Sequence, residues 1–148
     1  MKLTRTFVIH FIASIFIFLF TYTALSKFLD FSNFTKVLGS SPLIGKGRLW
    51  IAWILPTLEL GTAGLLFFPK TRLAGFYASF FLMCIFTVYI GCMLLFAPAL
   101  PCSCGGIIRQ LSWKQHLLLN LFLLVLAGIA VRVHRSPVFN QQPKYLLQ

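Results

Sequence analysis

The chain has 148 residues, of which 59% are hydrophobic and only 10% charged. Soluble domains are about a quarter charged, so most of this surface is not built to face water. The net charge of +11 sets thirteen Lys and Arg against two acids, Asp30 and Glu59. The bases stand in short breaks between apolar runs rather than together on one polar face. That placement fits anchors at lipid headgroups and argues against a nucleic-acid partner.

The first apolar run is 7–25. Lys2 and Arg5 give it a basic start, but it is longer than the core of a signal peptide and no small-x-small site follows. It is expected to be a retained span. Next, Phe28, Phe31, Phe34, Val37 and Leu38 recur at helical spacing, with Lys27, Asp30 and Lys36 between them. This pattern predicts a short helix lying in the membrane interface. Gly39, Pro42, Gly45 and Gly47 then break it. The second run, 49–68, and the third, 73–96, are joined by only a few residues around Lys70 and Arg72, so they must be antiparallel neighbours. Ser112 reads as a helix N-cap with Gln115 as its capping-box partner, which starts the fourth run, 113–133, at Trp113. Each run approaches the roughly 20 apolar residues that a helix needs to cross a bilayer. None alternates in the manner of a barrel strand.

The expected fold is therefore all-α. It is an integral membrane four-helix bundle with a short interfacial helix after the first span. One transmembrane domain takes up the chain, and residues 136–148 form a flexible polar tail. With the N-terminus inside, the two faces carry nearly equal numbers of bases. Lys2, Arg5 and the tight Lys70–Arg72 connection favour both termini in the cytoplasm, which puts the connection between the third and fourth spans outside.

That third connection carries the sharpest chemical signal, Cys102-Ser-Cys104, followed by Gly105 and Gly106. A disulfide holds its Cα atoms about 5.5–6 Å apart, so residues i and i+2 can form one only in a bent backbone. Strained, exposed disulfides are reduced more easily than structural ones. The pair reads as a redox-active dithiol, with a static clip as the plainer alternative. A metal site built from Cys102, Cys104 and His116 is disfavoured, because it lacks a fourth ligand and the usual cysteine spacing. Cys84 and Cys92 lie roughly 12 Å apart along one helix and cannot bridge each other. Both read first as small apolar side chains; Cys92, nearer the loop, is a candidate thiol relay.

Glu59 is the one acid inside a predicted span. It sits roughly 13 Å in from Trp50 by helical rise. An intramembrane carboxyl needs a proton or a partner, and Lys27, His10, His116 and Asn120 are candidates. The alternative is an acid that pins helix packing. His116 and Asn120, at i and i+4, share one face of the fourth helix, which should turn inward. They are expected either to hydrogen-bond between helices or to line a pocket for a ligand such as a quinone. Arg109 and Trp113 flank the loop at headgroup level. The Phe residues read as lipid-facing and packing groups.

The stretch Pro101-Cys-Ser-Cys-Gly-Gly106, followed by Leu111-Ser-Trp113, His116 and Asn120, resembles the MauE family of small membrane proteins, named for methylamine utilisation. Lys27-Phe-Leu-Asp30 and Pro56-x-x-Glu59 fit it as well. The resemblance covers roughly residues 5 to 133, and the Cys-x-Cys-Gly loop with its downstream Trp and Asn is the specific part. It implies a DoxX-like four-helix protein associated with redox chemistry, linked to maturation of the disulfide-rich subunit of methylamine dehydrogenase. The form is also similar to quinone-linked disulfide generators of the vitamin K epoxide reductase and DsbB type. This chain departs from those in having no Cys-x-x-Cys and no second loop pair. The expectation is a thiol–disulfide protein of the bacterial inner membrane. Cys102 and Cys104 would exchange with a periplasmic thiol protein, and Glu59, His116, Asn120 and Cys92 would line a pocket or relay, with quinone as a candidate cofactor. The competing expectation is a membrane scaffold with structural cysteines.

Overall fold

In the computed structural model, residues 2–41, 44–96 and 112–135 are described. They form five α-helices: α1 (Lys2–Leu29), α2 (Phe31–Ser40), α3 (Arg48–Phe67), α4 (Arg72–Phe96) and α5 (Trp113–Arg135). A single 3-10 turn, Gly45–Gly47, leads into α3. No strand occurs among the described residues. Four of the helices are long and apolar enough to cross a bilayer: Arg5–Leu29, Arg48–Phe67, Arg72–Phe96 and Lys114–Arg135. Their mean hydropathies run from 1.5 to 2.3. The chain is a multi-pass, lipid-embedded helical protein.

The spans close into a ring. α1 packs on α3 and α5, and α4 packs on the same two, so α1 and α4 face each other across the middle. Each helix turns one stripe inward at spacings of three and four. On α1 the stripe is Ile9, Ile12, Ala13, Phe16, Phe20, Thr23, Ala24 and Lys27. On α3 it is Ala52, Pro56, Glu59, Thr62, Ala63 and Leu66. On α5 it is His116, Asn120, Leu123, Ala127 and Ala130. The opposite faces expose Phe7, Phe18, Phe81, Leu95, Leu118 and Val125. In water such a surface would aggregate; against acyl chains it is the expected one. Phe16, Phe20 and Phe76 are fully buried, so the Phe residues divide between core and lipid face.

Two junctions are set by local chemistry. In the tight turn between α3 and α4, the Thr71 hydroxyl donates to the Leu65 carbonyl (2.9 Å), and Arg72 Nε donates to that of Leu66 (3.2 Å). These contacts satisfy carbonyls that the end of α3 leaves orphaned. A Cβ on Gly75 would lie 2.8 Å from the Leu66 backbone nitrogen, so only glycine allows α4 to approach α3 so closely. At the start of α5 the capping box is formed. Ser112 N–H donates to Gln115 Oε1 (3.0 Å), and Gln115 N–H donates to Ser112 Oγ (3.4 Å). This fixes Trp113 as the first helical residue, as the sequence predicts.

The short helix expected after the first span is α2. Its apolar face does more than rest on a membrane surface: Phe34 and Leu38 are buried against Ala52 of α3. Phe28 and Phe31 stack at a tilt on Trp53, with centroids 5.9 and 5.0 Å away.

Candidate functional site

The inward stripes change character along the bundle. At one end they are apolar. Toward the C-terminal end of α1, the middle of α3 and the N-terminal half of α5, they become polar, while the C-terminal half of α4 adds Tyr89 beside the apolar Ile90. Lys27, Glu59, His116 and Asn120 occupy stripe positions that Leu or Phe fills elsewhere. Together with Thr23 and Tyr89 they line one cavity of about 320 Å³. Phe34 and Leu38 of α2, Leu55 of α3 and Leu119 of α5 complete much of its apolar wall.

Lys27 and Glu59 form a buried ion pair. The ammonium donates to both carboxylate oxygens, at 2.7 and 2.9 Å. Lys27 is only 5% exposed, so it does not snorkel to the headgroups as a lysine near a helix end commonly does. Its Nζ also lies 5.9 Å from the Phe34 ring centroid and 6.0 Å from that of Phe86. Of the four partners that the sequence left open for Glu59, this is the one that bonds it. His10 is engaged elsewhere, with Nε2 3.2 Å from Arg72 Nη1. Pro56, one turn before Glu59, cannot donate to the Ala52 carbonyl, and it too is buried on the inward stripe.

Asn120 is buried on the same stripe as His116, one turn further into the bilayer. Its Nδ2 has no hydrogen-bond partner among the described residues. A buried amide donor left unmatched is costly, so this atom is the least satisfied polar group in the cavity. Cys92 is half-buried on α4 and carries a free thiol, as does Cys84. Neither belongs to the cavity lining, although Tyr89 and Ile90 on the same helix do. Cys102, Cys104, Arg109 and the tail 136–148 lie outside the described residues, and so does the side chain of Trp113. The segment that carries Cys102 and Cys104 is joined to the end of α4 at Phe96 and to Ser112 before α5. Both attachment points belong to the polar end of the bundle. No group of three or more His, Cys, Asp or Glu able to hold a metal ion occurs among the described residues.

Sequence reasoning had marked Glu59, His116 and Asn120, and the fold brings all three to one cavity. It passed over Thr23 and Tyr89. Thr23 carried a usable signal, because it stands four residues before Lys27 on the α1 stripe. Nothing in the spacing around Tyr89 set it apart from its apolar neighbours.

The fold and this cavity define a class: a four-span helical membrane protein with a mostly apolar pocket that encloses a few buried polar groups at one end of its bundle. The family model described as methylamine utilisation protein MauE matches residues 5–133, nearly the whole chain. The chain belongs to the MauE family. No curated protein and no solved structure matches it.

Proposed function

We propose that this protein is a thiol–disulfide exchange factor of the bacterial inner membrane, with both termini in the cytoplasm and Cys102 and Cys104 on the outer face. It assists disulfide formation in a periplasmic client within methylamine utilisation, the process for which its family is named. The observation that carries the reading is the gathering of Glu59, Lys27, His116 and Asn120 at the end of the bundle where the Cys-x-Cys segment is attached.

The exchange balances without a further reagent. A client thiolate attacks one sulfur of the Cys102–Cys104 disulfide, and the other leaves as a thiolate. A second client thiolate then attacks the client sulfur of the mixed disulfide and releases the first loop cysteine. The client gains a disulfide, the loop pair takes up two electrons, and each leaving thiolate takes a proton. The i, i+2 spacing favours this direction, because a strained small ring is a better oxidant than a relaxed structural disulfide.

The test is the double substitution Cys102→Ser and Cys104→Ser in cells that make the client. Reduced client should accumulate while the membrane protein itself is made in normal amounts. Normal client disulfides in that strain would instead leave a non-enzymatic assembly factor whose cysteines are structural.

A further inference from the structure

The cavity combines three features that together select a ligand. First, its walls are overwhelmingly apolar and come mostly from the four membrane spans, with α2 adding Phe34, Val37 and Leu38, so an occupant must dissolve in lipid. Second, the one lysine among its described lining residues is neutralised by both oxygens of Glu59, which disfavours an anionic head. Third, the buried Asn120 lines it with an amide Nδ2 that has no partner among the described residues. An amide N–H can be satisfied only by an acceptor. A neutral acceptor on an apolar body is most simply a carbonyl oxygen. About 320 Å³ lies in the size range of small-molecule sites.

We propose that this cavity is a binding site for a membrane-soluble carbonyl compound, whose oxygen accepts a hydrogen bond from Asn120 Nδ2. Two lipid sources carry that chemistry, an isoprenoid quinone and an acyl ester. The proposal is drawn from the described lining residues alone, and its test is separable from that of the exchange reading.

The experiment uses the full chain purified in dodecyl maltoside, a detergent with no carbonyl group. Three probes are compared by their effect on the melting temperature, which rises with any ligand that prefers the folded state. The probes are ubiquinone-1, methyl oleate and squalene, which has no carbonyl. A saturable rise with ubiquinone-1 assigns the quinone source, and one with methyl oleate the ester source. Squalene should have no effect. Asn120→Leu should weaken the effective probe roughly tenfold, the scale of one buried hydrogen bond, without lowering the melting temperature of the unliganded protein. Leu119→Phe should block binding by narrowing the cavity while leaving the amide in place. Cys102→Ser with Cys104→Ser should bind as the unaltered chain does.

The proposal is overturned if neither carbonyl probe raises the melting temperature, or if squalene raises it equally. Binding to Asn120→Leu at unchanged affinity overturns it as well, as does loss of binding in the cysteine double variant. None of these four results bears on whether the client's disulfides form.

Discussion

The two ends of this bundle are built from the same inward stripes and differ in what fills them. At the end formed by the start of α1 and the close of α5, Ile9, Ile12, Phe16, Phe76, Ala127 and Ala130 make a continuous apolar core. There Gly75 brings α4 within van der Waals range of the α3 backbone. At the other end the stripes carry Lys27, Glu59, His116 and Asn120 around a cavity. In lipid, apolar side chains gain little by hiding from solvent, so close packing and matched polar groups hold helices together. The first end relies on close packing. The second gives up packing for polar groups, and an intramembrane polar group is retained where it does something. The comparison teaches that the two ends of one short bundle are held by different means, close packing at one and a buried ion pair beside a cavity at the other.

The ion pair should give the largest effect. Lys27→Met leaves Glu59 buried without its partner, at a cost on the order of 3–5 kcal/mol. Adding Glu59→Leu to Lys27→Met should recover most of that loss, because no charge then remains buried. Melting temperatures of the two variants in detergent measure both steps. If the single and double variants melt together, the pair is not the strut of the polar end.

Next comes the filled end. Gly75→Ala places a methyl group against the Leu66 backbone and should cost about 1–3 kcal/mol, as over-packing does. Chemical denaturation of the reconstituted protein reads it. The same change at Gly64, where an added Cβ meets nothing within 4 Å, should be neutral or mildly stabilising. Equal effects at the two glycines would remove the contrast between a tight α3–α4 contact and an open face.

Ser112→Ala removes half of the capping box and should cost about 1 kcal/mol. Hydrogen exchange should quicken in the first turn of α5 and stay unchanged near Ala127. The smallest effect belongs to Asn120→Leu, which removes an unmatched buried donor and should leave the unliganded protein as stable as before, or slightly more so. A loss above about 1 kcal/mol would instead make Asn120 a packing residue with a partner of its own.

Much of this fold was legible in the sequence because a bilayer demands so much of a chain. The four spans follow from run length, and the start of α5 follows from the Ser112–Gln115 box, a purely local device. The inward direction of His116 and Asn120 follows from their i, i+4 spacing. What was not legible depends on distant contacts. Glu59 had four candidate partners, and only the packing of α1 on α3 selects Lys27, 32 residues away in the chain. The role of α2 was only half visible. Its amphipathic pattern predicts a helix at an interface, but the burial of Phe34 and Leu38 against Ala52 depends on where α3 starts. A pocket was one of two readings that the polar residues left open, and its apolar walls had no signature, because they arise where stripes of several helices fail to fill a shared space. Cys92 is two residues from a wall position and outside the cavity lining, and its place relative to Cys102 and Cys104 lies outside the described residues.

The most direct measurement of the exchange reading is the redox state of Cys102 and Cys104 in intact cells. It is read by a membrane-impermeant maleimide added before and after a short pulse of reductant. The predicted result is a pair that is disulfide-bonded at rest and becomes reactive toward the reagent from outside after the pulse. A pair that stays in one state throughout, or that the reagent never reaches in intact cells, would contradict it.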